Sequence, residues 1–146
     1  MDAIDYAILN ELKVNGRASA SEISKKVNLS IPAVAERIRK LEQAEVIRQY
    51  TIKINRDRIE KRLLAFIFIN LDKTEDIDNF RNVIVQHNCV LECHHVAGTY
   101  DYLLKVIVED TKALENFLSK TLKKIKGVSS SNTIISLITL KEEINY

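Results

Sequence analysis

Ser30, Ile31, Ala33, Glu36, Arg37 and Lys40, with Arg39 beside them, recur at helical spacing on the side away from the apolar series Val34, Ile38, Leu41. Arg17 stands near the turn between the first and second predicted helices. Arginine and lysine bind phosphates and guanine edges, and a serine beside the free amides of a helix start suits a phosphate oxygen. The spacing therefore predicts a helix that enters a DNA major groove N-terminus first, with Glu36 opposing phosphate on the same face. A solvated helix in a protein-binding module is the alternative. Further along, Gly98-Thr99-Tyr100-Asp101-Tyr102 marks a turn between strands. Gly98 permits close backbone approach, and the Asp101 carboxylate either pairs with a ligand ammonium or serves the amides of its own loop. The run from Cys89 to His95, CVLECHH, holds thiols and imidazoles. Strand alternation puts Cys89, Leu91, Cys93 and His95 on one face and His94 on the other, as ordinary sheet residues with no carboxylate to complete a ligand set. No metal or cofactor is expected. The chain has no Ser-His-Asp order, P-loop, dinucleotide fingerprint or paired-carboxylate motif.

Positioning these groups requires two kinds of scaffold. Ile4, Ala7, Ile8 and Leu12 predict a first helix over residues 3–15, with Gly16 where a helix-ending glycine would sit. Ser19-Ala20-Ser21-Glu22 is a capping box for a short second helix carrying Ile23 and Val27. Ser30 caps the third, where Pro32 is tolerated in the first turn because its missing amide had no partner there. Residues 46–54 are rich in β-formers and end in alternation, which predicts one or two strands. Residues 1–54 thus read as a winged helix-turn-helix domain, and the charged stretch 55–62 as a linker.

Residues 63–146 read strand, helix, strand, strand, helix, strand. The strands fall at 63–71, 89–97, 102–108 and 134–140. One helix runs through Ile77, Phe80, Ile84 and His87; the other runs through Leu114, Phe117, Leu118, Leu122 and Ile125 and is stopped by Gly127. Two successive β-α-β units imply an α+β, ferredoxin-like fold, an antiparallel sheet with both helices on one face. The first strand is apolar on both alternations, Leu63/Ala65/Ile67/Ile69 and Leu64/Phe66/Phe68. Two helices cover one face only, which predicts a second copy of the same sheet over the other.

The 146 residues, 46% hydrophobic and 29% charged with one Pro and three Gly, exclude a disordered, collagenous or low-complexity chain. No apolar run approaches ~18 residues, and acids stand at the start where a signal peptide is basic, so a cytoplasmic protein is expected. Two cysteines are too few for a disulfide scaffold. The net charge of +2 divides unevenly, with 13 Lys+Arg against 9 Asp+Glu in residues 1–62 and 9 against 11 in the remainder. The front half is the one suited to meet an anion.

Asp2-x-x-Asp5-x-x-Ile8-Leu9-x-x-Leu12, then Gly16-Arg17, Glu22-Ile23, Val27, Leu29-Ser30, Val34, Arg37-Ile38, Leu41-Glu42 and Val46-Ile47, resembles without a gap the N-terminal half of the Lrp/AsnC (leucine-responsive, or feast/famine) transcription regulators. The back half resembles that family's effector domain, including its Gly-x-x-Asp-Tyr element at Gly98 to Tyr102. The resemblance implies a non-enzymatic regulator that binds specific double-stranded DNA sequences through its third helix. It implies dimers that assemble further into tetramers or octamers. It also implies an amino-acid effector near Gly98, Thr99, Tyr100 and Asp101 at the contact between dimers, with Thr133, Ile134 and Ser136 as further contacts. Glu45 stands where the family usually has Gly, which predicts a left-handed backbone there. Two other classes compete. Siroheme and heme decarboxylase subunits are similar to this family in both halves and use histidines near a tetrapyrrole, and His87, His94 and His95 here flank one strand; the other class is a sequence-indifferent architectural DNA binder.

Overall fold

In the computed structural model, which describes residues 1–145, the three N-terminal helices each start where a side chain satisfies their free amides. For α1 (Ala3–Val14), Asp2 Oδ1 accepts from the Ile4 and Asp5 amides, both at 2.9 Å, and Asp5 Oδ2 accepts from the Asp2 amide at 2.9 Å. The Ser19/Glu22 box opens α2 (Ala20–Val27), and Ser30 Oγ accepts from the Ala33 amide to open α3 (Ile31–Gln43). Ile8, Ile23, Val34 and Leu41 form the buried core between them, which defines a helix-turn-helix unit. This unit is Met1–Ile54 together with the C-terminal residues from Glu143; the second is Asn55–Glu142, so residues 55–62, read as a linker, group with the second unit.

Two local expectations fail in the first unit. Gly16 does not end α1 in a left-handed turn: Asn15 ends it with an extended backbone, and its Oδ1 takes the Arg17 amide at 3.0 Å. No strand forms over 46–54, so the helix-turn-helix has no wing of its own. β-forming residues become a strand only against a ladder partner, and among the described residues this unit offers no other strand. The Val46 and Ile47 amides bond back to the Leu41 carbonyl at 2.9 and 3.1 Å, and the Tyr50 hydroxyl donates to Glu42 at 2.8 Å. The turn that starts this segment has Glu45 at φ 54°, the predicted left-handed backbone.

The second unit runs β1 (Leu63–Leu71), α4 (Ile77–Ile84), β2 (Val90–His95), β3 (Tyr102–Val108), α5 (Thr111–Asn116) and β4 (Val128–Ile135). After Asn116 the helix loosens into a π turn and then a 3-10 turn ending at Lys124. All pairings are antiparallel in the order β2-β3-β1-β4, the ferredoxin-like arrangement of an α+β domain. Register decides the two faces. Ala65, Ile67 and Ile69 lie opposite Val106, Leu104 and Tyr102, and all six are buried with Phe80, Ile84, Leu114, Phe117 and Leu122. Phe66 and Phe68 point the other way, beside Lys105 and Leu103 on β3 and Ile134 and Asn132 on β4.

The last strand lies earlier than its hydrophobicity predicts. β1 pairs with residues 128–135, and after the Ser136 amide bonds to the Leu64 carbonyl at 2.9 Å no ladder continues. Leu137, Ile138 and Leu140 therefore stay exposed rather than completing a strand over 134–140. β2 departs from simple alternation as well. Val90 pairs with Val106 and Glu92 with Lys105, so Leu91 is the extra residue of a bulge. Cys89, Val90 and Cys93 pack on the core while Leu91 is exposed, which corrects the face assigned to Leu91 and shortens the expected 89–97 strand.

Candidate functional site

Burial of Val34 and Leu41 turns the opposite side of α3 to solvent, where Ile31, Pro32, Ala35, Glu36, Arg39 and Lys40 are exposed. Arg39 grips Glu36 through Nε at 2.8 Å and Nη2 at 2.7 Å, and Lys40 lies 3.8 Å from the same carboxylate. Those hydrogen bonds hold the Glu36 carboxyl below the ordinary glutamate range, so the face carries two cations and one ionised acid. Arg17 is exposed beyond the first turn, Ser30 sits at the helix start, and Ala33 is half-buried beneath that cap.

Arg37 is not part of this solvent face. Its Nη1 donates to Asp2 Oδ2 at 2.9 Å and to Asp5 Oδ1 at 2.7 Å, which turns it back against the start of α1. Pro32 and Ala35, which sequence reasoning missed, also stand on the exposed face. The i, i+4 step from Ile31 to Ala35 to Arg39 is the signal that would have found Ala35.

The loop between β2 and β3 is stapled to β1. Asp101 Oδ2 accepts from the Leu71 amide at 2.8 Å, and the Asp101 amide donates to the Ile69 carbonyl at 2.9 Å. Gly98, at φ 151°, has no atom within 4 Å of where a Cβ would stand, so the loop is open on that side. The Tyr100 ring packs on Phe68 with centroids 5.0 Å apart, and its hydroxyl accepts from Asn132 Nδ2 at 3.2 Å. Tyr100, Phe68, Asn132 and Ile134 thus share the face of the sheet opposite the helices.

The remaining expected effector contacts do not join them. Thr133 lies opposite Ile67 on the helix side, in a groove of ≈ 640 Å³ between α5 and β4 that Leu114, Leu118 and Ile135 also line. Ser136 lies beyond the other end of β4, level with Leu64. Asn132 was missed, and only the register with Phe68 reveals it. The histidines do not converge either. His94 meets Glu92 at 3.0 Å on the open face, His95 stacks on Tyr102 on the helix side beside Arg81, and His87 sits edge-on to Phe117. Burial pushes the Cys89 and Cys93 thiols up, as for core residues rather than reactive ones.

Residues 1–42 match the family model of the AsnC-type helix-turn-helix domain, and residues 64–146 match that of the Lrp/AsnC ligand binding domain. The chain belongs to the Lrp/AsnC family of transcription regulators. It is 36% identical over 144 residues to the leucine-responsive regulatory proteins of Klebsiella pneumoniae and Escherichia coli K12, covering 97% of this chain and 88% of each relative. The structure is similar to a Neisseria meningitidis transcriptional regulator solved with L-methionine, with TM-score 0.95 and 30% identity over 99% of this chain and 94% of that one. It is equally similar in sequence, at 30% identity, to the Mycobacterium tuberculosis feast or famine regulatory protein complexed with L-methionine, with TM-score 0.92 over 99% of this chain and 97% of that one. This Lrp/AsnC regulator accordingly carries a helix-turn-helix domain and a ligand-binding domain. Among its described residues no helix is long and apolar enough to cross a membrane.

Proposed function

We propose that this chain is a cytoplasmic, non-enzymatic, homo-oligomeric regulator that binds specific double-stranded DNA sequences and whose assembly or DNA binding responds to an amino acid. DNA contact falls to the first unit, and effector binding and assembly to the second. The observation that carries the DNA reading is α3: its start is capped by Ser30, and Ile31, Pro32, Ala35, Glu36 and Arg39 stand clear of the core on one face. A helix presented this way reads base edges, while Arg17 and Lys40 suit phosphates.

The amino-acid reading draws on the two relatives solved with L-methionine and on the Gly98, Thr99, Tyr100, Asp101 loop, to which Asn132 adds an amide. Self-assembly is supported by the open sheet face. Phe66, Phe68 and Ile134 lie there, and Leu137 and Leu140 beyond it are 98% and 89% exposed. Apolar surface left in water forfeits ~25 cal/mol per Å², so a second copy is its natural cover.

Affinity selection from random duplexes, repeated with each amino acid present, tests the reading. Enrichment of one motif, altered by one class of amino acid, is the expected result. A footprint with no preferred site would replace it with the architectural reading, and a visible absorption band on heme titration with the decarboxylase reading.

A further inference from the structure

In the Asp2/Asp5 pair at the start of α1, each carboxylate divides its oxygens between two tasks. Asp2 Oδ1 and Asp5 Oδ2 take backbone amides and close the capping box. The other two oxygens, Asp2 Oδ2 and Asp5 Oδ1, both receive Arg37 Nη1. One guanidinium against two acids leaves a local excess of negative charge, which repels rather than attracts a phosphate. At ~100° per residue, Ile31, Ala35 and Arg39 lie roughly 120–200° around α3 from Arg37 and Lys40 only ~60°, so Arg37 stands at the margin of the exposed face, half-buried and turned by its ion pairs toward α1. It flanks the core anchors Val34 and Leu41, which lie ~60° and ~40° from it on one side of the helix, and a side chain fixed at that edge sets the rotation of α3 about its own axis.

We propose that Arg37 is a positioning residue for DNA reading, a clamp that holds α3 against the first turn of α1 through Asp2 and Asp5, and that it makes no contact with DNA itself. This rests on the DNA-binding reading above and goes beyond it by separating the residue that orients the helix from those that read.

The two roles give opposite signs for one substitution. If Arg37 contacted DNA, Asp5→Asn would release a competing anion and tighten binding. For the clamp, Asp5→Asn weakens binding as Arg37→Gln does. The full-length wild type, Asp5→Asn, Arg37→Gln, Arg37→Lys and the Asp5→Asn/Arg37→Gln pair are titrated with the selected duplex and with a scrambled one at several salt concentrations. Circular dichroism fixes a temperature at which each variant is folded. Each of the first two variants is expected to lose roughly tenfold affinity for the selected duplex, with scrambled-duplex affinity and salt slope unchanged, and the pair to lose no more than either alone. Arg37→Lys, which retains one charged contact, recovers part of the loss. A general loss of stability would not change the ratio of specific to non-specific binding, and that ratio is the readout. Tighter binding by Asp5→Asn, or a shallower salt slope for Arg37→Gln, overturns the clamp. Should Arg37→Gln be unfolded throughout, Asp5→Asn and Arg37→Lys decide alone, since a phosphate contact predicts wild-type behaviour for the lysine. If the wild type selects no duplex, it is the DNA reading that fails.

Discussion

The Asp101 carboxylate accepts the backbone N–H of Leu71 at 2.8 Å, tying the turn before β3 to the last residue of β1. The carboxylate in the Gly-x-x-Asp-Tyr element therefore serves the fold whether or not it also meets an ammonium. The tether holds Tyr100 over Phe68, within reach of Asn132.

Asp101→Ala should cost about 1.5–3 kcal/mol, the usual value of a hydrogen bond to a charged acceptor, read as a lower urea midpoint. Asp101→Asn keeps an acceptor for the Leu71 amide and should retain most of that stability. If the carboxylate also pairs with an amino-acid ammonium, calorimetry will find affinity lost in both variants. Undiminished affinity would leave Asp101 with its structural role only.

Gly127 lets the chain pass close to the start of α4. A Cβ there would stand 2.4 Å from Asp76 Cβ, at a backbone φ of 93°. Asp76 is 4% exposed, with Lys126 Nζ 2.9 Å from its carboxylate, so it has little room to withdraw. Gly127→Ala should destabilise the second unit by roughly 2–4 kcal/mol, combining backbone strain with a steric overlap in packed surroundings. A thermal midpoint equal to wild type would show that the turn relaxes freely.

Glu45 occupies a left-handed turn at φ 54°, where a residue with a β-carbon carries ~1 kcal/mol of strain that Gly avoids. Glu45→Gly should stabilise the first unit by a few tenths to ~1 kcal/mol, because the greater freedom of Gly in the unfolded chain offsets part of the gain. Urea melts of the full chain, followed by hydrogen exchange of the Ile8 and Val34 amides, would reveal it. Faster exchange in the Gly variant counts against the assignment.

The second unit should lose stability in acid through Glu142. Lys105 at 2.7 Å and Arg56 at 2.8 Å hold its carboxyl below the ordinary glutamate value of 4.5. A group whose folded value is depressed contributes stability above its unfolded value and loses it as pH falls through the folded one. The wild type should therefore weaken relative to Glu142→Gln as pH drops from about 5 toward 3, with the difference between them largest near neutrality. Parallel urea midpoints for the two proteins across that range would show the pairing to be without consequence.

Leu137 and Leu140 touch little within one chain, so replacing them tests assembly without disturbing the fold. Sedimentation should find no monomer of the wild type at micromolar concentration, and a smaller, folded species for Leu137→Asp/Leu140→Asp. Identical sedimentation of the two would mean that these side chains are not covered by a second copy.

Where chemistry depends on near neighbours, the amino-acid order determined the outcome. Ser19 and Glu22 close their box three residues apart, and Ser30 caps α3 within one turn, while the left-handed turn at Glu45 was legible only through the family's usual Gly at that position. The doubly apolar β1 likewise announced a sheet with two faces to cover. Tertiary structure alone decided what depends on distant partners. Arg37 has the spacing of a residue at the edge between the apolar and the exposed sides of α3, and its partners Asp2 and Asp5 on another helix decide which way it turns, while residues 46–54 have strand composition without a strand beside them. Ser130 and Ser131 form part of a strand that their composition hides, because β1 offers them a ladder, while Leu137 and Leu140 beyond its reach do not. The bulge at Leu91, and which of Thr133 and Ile134 faces the helices, follow from register, in which a shift of one residue reverses every side chain. Pairing across space sets that parity, and a pattern along the chain does not contain it.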